Sequence, residues 1–473
     1  QKGHIDGAIP TCRFSRFGPG VRRGRLAAVV DALAGVIEHA LVAQRCASVL
    51  LCLCAVFASP PVASAGDTVR LGLRPDSPLS LPRLVTGPAQ RVLVAWNEVK
   101  LRPRWRVRGF TAAEWTPNGG WTKPRRLLRG SVEFADVAYL AGGEVVAVYT
   151  RPRAKAPVTV KALVWGSRRG RSEDVVLATY RQGESVSGLE IRTDARGGAV
   201  ATWTVQGRPA GTPELSIGTH AAIREPTGRW RPTAVLTGRL GWPALAVAAD
   251  GSAAVFGQSF DGDLKLTQRG PDGDFGPAVS IAPPARSLEY QVVPVATVVG
   301  DTLVGVWQRI DGETAAVQTL AGRIGQPLGP PEPLANFPKG FSFDGMDIAS
   351  DTAGLVGISW YTGNGGVAQM ALRPPGGVFG APRTLGRADG ATPQIAICEN
   401  GTSYVAFVRY GRHATPLARL YRVAARADRV EGLPSKSWVQ ELACVDGLPI
   451  VLVSNFSSRR GRAVSTIDVF IGG

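Results

Sequence analysis

Histidine, methionine and lysine are scarce in this chain. Its 473 residues contain four His and two Met, and only 8 of its 54 basic residues are Lys. So few His argue against a metalloenzyme, and so few Met against a Met-rich binding groove. The preference for Arg over Lys is read as coding bias and not as a nucleic-acid signal. Charged residues make up only 19% of the chain against 44% hydrophobic ones, which excludes intrinsic disorder. The motifs of nucleotide and hydrolase chemistry are missing too. No G-x-x-x-x-G-K phosphate loop occurs, and Gly183-Glu184-Ser185-Val186-Ser187 departs from G-x-S-x-G at its last position. No group of His, Cys, Asp and Glu has zinc spacing, and no cofactor is implied.

The apolar run CASVLLCLCAVFA at 46–58 has 13 residues, short of the roughly 20 needed to cross a bilayer. Arg45 precedes it, and Pro60-Pro61 and Ala63-Ser64-Ala65 follow. A basic flank, a short apolar core and an A-x-A exit are the parts of a secretory signal peptide, with cleavage expected after Ala65. Leu51 and Leu53 precede Cys52 and Cys54, which disfavours a lipoprotein signal. Residues 1–45 read as an over-extended start or disordered leader, 46–65 as the signal core and cleavage site, and 66–473 as the folded domain. The expected location is outside the cell, on its surface or in the periplasm.

What the folded domain does have is repetition. An apolar strand ending in an aromatic recurs at Trp96, Tyr149, Trp203, Phe256, Trp307, Trp360 and Phe407, and an eighth copy ends at Val453. Successive spacings are 53, 54, 53, 51, 53, 47 and 46 residues. In the fourth copy Asp250-Gly251, Asp261-Gly262 and Asp272-Gly273 stand 11 residues apart, joining the runs ALAVAA, AAVFGQS, LKLTQR and FGPAVSI. Asp-Gly between apolar runs predicts hairpin turns with positive φ at both positions. Each unit is therefore a four-stranded antiparallel meander of the kind that forms one propeller blade. The fold class is all-β: a β-propeller of eight repeats, seven blades being the alternative. The last copy runs short of a fourth strand, and DTVRLGL at 67–73 is a spare strand able to close the ring from the N-terminal side.

Over residues 67–473 these repeats resemble secreted bacterial β-propellers of the sialidase-like and related kinds. The resemblance lies in strand, turn and aromatic spacing. The sialidase Asp-box (S-x-D-x-G-x-T-W) is absent from every copy, so the resemblance implies architecture and no catalytic residues.

Candidate chemistry is thin. After cleavage His220 and His413 remain, each flanked by small or polar residues and expected in a loop. Asp261/Asp263, Asp272/Asp274 and Asp344/Asp347 are the local carboxylate pairs, the first two expected in turns. Cys398 and Cys444 each lie nine residues before their anchor, on neighbouring repeats. In an oxidising compartment they form either a disulfide or two buried thiols.

Charge gives the sharpest hint. Residues 91–181 hold 18 basic and 7 acidic residues, while the rest of the folded domain is near neutral. Arg102, Arg104, Arg106 and Arg108 alternate along one stretch, so they are expected on one strand face. Lys123, Arg125, Arg126, Arg151, Arg153, Arg168, Arg169 and Arg171 extend the sector through the second repeat. The leading expectation is a non-catalytic, exported binding or adhesion module. Its partner would be an acidic polysaccharide or anionic envelope polymer held by this basic sector. A solvated face without a partner is the plain alternative for the sector. For the whole protein the rival is a glycosidase or lyase with its site over the central channel. No specific nucleic-acid partner is expected, because the aromatics recur at strand ends where packing explains them better than base stacking.

Overall fold

The computed structural model describes residues 68–472, leaving out 76–81, 101–105, 131, 134, 152–156, 167–172, 208–215, 232–233, 237–240, 260–261, 283–293, 312–313, 339–342, 363–365, 390–391, 412–414, 424–426, 431–432, 435 and 460–461. Residues 1–45 and 46–65 lie outside the described residues.

The described chain is an eight-bladed β-propeller of antiparallel sheets, seven built from successive strands and the eighth from the last three strands and the first. The inner strands are Arg83–Gly87, Ala135–Tyr139, Ser185–Thr193, Gly241–Val247, Val295–Val299, Phe343–Ser350, Gln394–Ile397 and Trp438–Val445. Each packs beside the inner strand of the next blade, and that of blade 8 lies beside that of blade 1, so the ring is complete. The outer strand of blade 8 is Thr68–Pro75, which pairs antiparallel with Arg462–Ile471 from Thr68↔Phe470 to Pro75↔Val464. One sheet thus holds the first described strand and the last.

Every repeat anchor falls on the second strand of its blade, where pleating alternates side chains between two neighbouring sheets. Trp96, Trp203, Trp307, Trp360, Tyr149, Phe256, Phe407 and Val453 are all buried. The buried apolar residues fall into eight clusters, each bridging two adjacent blades. The seam between blades 8 and 1 is one of them, joining Leu71, Ile467 and Val469 to Leu84, Val92 and Trp96. A blade cannot bury both faces alone, and the ring supplies the missing partner on each side.

The inner hairpins correct the expected turn chemistry. At Leu140–Glu144, Asp194–Gly198, Ala248–Ser252, Asp351–Leu355 and Cys398–Thr402 the first residue donates its N–H to the fifth carbonyl. The fourth residue, a glycine, donates back to the first carbonyl. Only that glycine takes positive φ, as at Gly197 (89°) and Gly251 (86°). These are longer loops with a glycine in the left-handed region, a geometry that also follows the strand twist. Both turn residues have positive φ at Asp446 (53°) and Gly447 (75°), the two-residue turn of blade 8.

Candidate functional site

Part of the basic stretch lies at the outer edge of blade 1. Its edge strand Arg125–Arg129 pairs with Arg106–Thr116, from Ala112↔Arg125 to Gly109↔Arg129. Lys123, Arg125, Arg126 and Arg129 are exposed, and among the described residues none makes an ion pair. The Arg125 guanidinium lies 5.7 Å from the ring centroid of Trp165, on the third strand of blade 2. That contact crosses the seam between the two blades and fixes one cation without neutralising it. Arg151 is half-buried over the ring of Tyr149.

The remaining sector residues are only partly reached. Arg102, Arg104, Arg153, Arg168, Arg169 and Arg171 lie outside the described residues. Arg106 and Arg108 belong to the third strand of blade 1, but its register against the second strand shifts there. Glu98 pairs with Gly109 and Val99 with Val107, leaving Arg108 as an extra residue.

The second charged region was not legible as a site. A cavity of about 740 Å³ occupies the central channel, walled by inner strands. Six blades place a polar side chain at one register position. Arg83, Asp136, Glu190, Asp347, Gln394 and Glu441 face Ala95, Val148, Thr202, Ser359, Ala406 and Leu452, each one residue before its anchor. The signal was present in the repeat spacing. The first five lie 13 residues before their anchors, and Glu441 lies 12 before Val453.

The carboxylates at this level fasten one blade to the next. Asp136 accepts the Ile191 N–H at 2.9 Å, Glu190 that of Leu245 at 2.9 Å, and Asp347 that of Ile395 at 2.8 Å. Glu441 accepts the Leu84 N–H across the closing seam. Two guanidiniums thread between them: Arg83 reaches Glu441 at 3.1 Å and Asp136 at 3.3 Å. Arg192 reaches Asp136 at 3.4 Å and Glu190 at 2.6 Å. Burial pushes the Glu441 carboxyl up to about 7, against the pull of Arg83 and the Leu84 N–H. Burial likewise raises Asp347 to about 6, opposed by the N–H groups of Ile395 and Ile348 and by the charge of Arg192. Glu190 is raised by burial despite its arginine.

Other candidates resolve into structure. His220 sits not in a loop but in the third strand of blade 3, paired with Trp203 and stacked on its ring at 6.2 Å. Burial holds its imidazole below the usual range. His413 and Asp261 lie outside the described residues. Asp263 accepts the Ser280 hydroxyl, while Asp272 and Asp274 pair with Arg196 and Arg231. Cys398, just past the inner strand of blade 7, and Cys444, on the inner strand of blade 8, form a disulfide, their Cα atoms 5.2 Å apart. Among the described residues no group of three His, Cys, Asp or Glu is placed to hold a metal ion. Nor is any helix long and apolar enough to cross a membrane.

No family model and no curated protein matches the chain. Solved structures do. A protein of unknown function from Dyadobacter fermentans DSM 18053 is 12% identical, with 87% of this chain and 100% of that chain covered and a TM-score of 0.40. The β-propeller domain of the trilobed protease from Pyrococcus furiosus is 11% identical, with 71% and 95% covered and a TM-score of 0.40. A mutant NanB sialidase from Streptococcus pneumoniae is 9% identical, with 85% and 94% covered and a TM-score of 0.38. At such values the likeness says nothing about a site.

Proposed function

We propose that the protein is an exported, non-catalytic binding module that engages an acidic polysaccharide or anionic envelope polymer through the basic rim of blades 1 and 2. The observation that carries this reading is the set Lys123, Arg125, Arg126 and Arg129, exposed within seven residues and without an ion pair among the described residues. Elsewhere arginines such as Arg83, Arg192 and Arg231 are engaged by Asp or Glu. An unneutralised run of guanidiniums attracts oxyanions and can meet them in bidentate fashion. Export is supported by the signal-like segment at 46–65 and by the Cys398–Cys444 disulfide, which suits an oxidising compartment. The channel lends the glycosidase or lyase reading little, because its four carboxylates already serve as hydrogen-bond acceptors between blades.

The test is salt-dependent binding to an acidic polysaccharide, a teichoic acid and duplex DNA, with Lys123, Arg125, Arg126 and Arg129 changed together to Ser. Recognition predicts tight binding to one polymer and at least a tenfold loss in the variant. On duplex DNA each lost phosphate contact should flatten the log K against log salt slope by about 0.9. Equal, weak binding to all three polymers that the variant leaves unchanged would defeat the proposal.

A further inference from the structure

The channel wall contains an arc of alternating charge that does not balance. Glu441 of blade 8, Arg83 of blade 1, Asp136 of blade 2, and Arg192 and Glu190 of blade 3 follow one another at 3.1, 3.3, 3.4 and 2.6 Å. Three carboxylates thus share two guanidiniums. Across the cavity Asp347 of blade 6 accepts two backbone N–H groups and has no ion pair among the described residues, Arg192 being the cation that acts on it. Gln394, at the matching position of blade 7, is uncharged and adds no compensation. One proton on the arc and one on Asp347 would make this level of the channel electroneutral.

We infer that the channel wall is a proton-operated clasp, in which two bound protons balance the ring of carboxylates and their loss loosens the seams those carboxylates join. The seams concerned are those between blades 8 and 1 and between blades 6 and 7, held by Glu441 and Asp347. Ionised, Glu441 competes with Asp136 for Arg83, and Asp347 carries a buried charge supported by two N–H donors and the charge of Arg192, without an ion pair among the described residues. Burial has raised both groups above their ordinary values, to about 7 and about 6. A carboxyl raised in the fold contributes stability that is complete below its unfolded value and lost as pH climbs through the folded one. The window therefore runs from about pH 4 to about pH 8. Glu190, raised by burial as well, belongs to the same arc, so the proton is shared between its glutamates and not fixed on one side chain.

The experiment is urea unfolding of the full chain at pH 5.5 and 8.0, with Glu441→Gln, Asp347→Asn and the double variant. Each amide keeps an oxygen for the N–H of the neighbouring blade while removing the charge. The folding equilibrium of the wild type should weaken between the two pH values. Glu441→Gln should remove about thirtyfold of that change and Asp347→Asn about fourfold, and each should exceed the wild type at pH 8.0. Heats of unfolding in two buffers of different ionisation enthalpy count the protons directly. Near pH 6 the wild type should release more protons than the double variant. A double variant with the pH dependence and proton release of the wild type would overturn the inference, whatever its absolute stability.

Discussion

At the residue scale, the fold rests on large side chains meeting very small ones across the blade seams. A Cβ on Gly305, on the second strand of blade 5, would stand 2.4 Å from the Phe256 ring of blade 4. A Cβ on Gly72, on the strand that completes blade 8, would stand 3.0 Å from the Trp96 ring of blade 1. Interiors packed to crystal density do not absorb such an intrusion freely. Gly305→Ala should therefore destabilise by about 1–3 kcal/mol through overpacking. Gly329→Ala, which meets nothing within 4 Å, is the control. Urea unfolding compares them, and equal midpoints would show that the seam between blades 4 and 5 yields more easily than its geometry implies. His220 teaches a related lesson. Its small and polar neighbours suggested a loop, but pairing with Trp203 decided its place, because local composition does not reveal a ladder partner.

At the scale of elements, seven of the eight seams of the channel wall have a fastening among the described residues. Carboxylates bridge blades 8 and 1, 2 and 3, 3 and 4, and 6 and 7. Arg83 and Asp136 join blades 1 and 2, and the hydroxyls of Thr297 and Ser350 meet at 3.0 Å between blades 5 and 6. Between blades 7 and 8 Gln394 stands in the carboxylate position, and the Cys398–Cys444 disulfide makes the covalent link. It closes a loop of 46 residues, for which chain-entropy arguments give about 2–4 kcal/mol. Reduction, or Cys398→Ser with Cys444→Ser, should lower stability by that amount. Unfolding in urea with and without reductant measures it, and coincident curves would mean the two blades are held by packing alone.

At the scale of the molecule, closing the ring gives each described blade two neighbours, and the closing seam contains both ends of the described chain. Leu71 packs in the same cluster as Trp96 and Ile467, while Arg70 pairs with Asp468 at 2.8 Å. Removing residues 66–76 would bare the edge of Arg462–Ile471 and one face of Trp96. An uncovered edge is a template for pairing with another chain. The truncated protein should melt at lower temperature and self-associate, as thermal unfolding and size-exclusion chromatography would register. A monomer with unchanged melting would show that blade 8 is stable with three strands.

The sequence by itself determined the blade unit, put eight blades ahead of seven and assigned the aromatic anchors to packing. All three follow from short-range periodicity, which the chain carries in the open. It also marked Lys123, Arg125 and Arg126 as part of a basic stretch, because a run of like charge can be read without knowing its partners. The tertiary structure decided what depends on approach between distant residues. Arg83, Asp136, Glu190, Asp347 and Glu441 are single charges among apolar runs until the ring brings their strands around one cavity. Cys398 and Cys444 could equally have been two thiols until their Cα atoms stood 5.2 Å apart. Strand propensity and turn chemistry act within a few residues, whereas the channel exists only because eight blades close on one another.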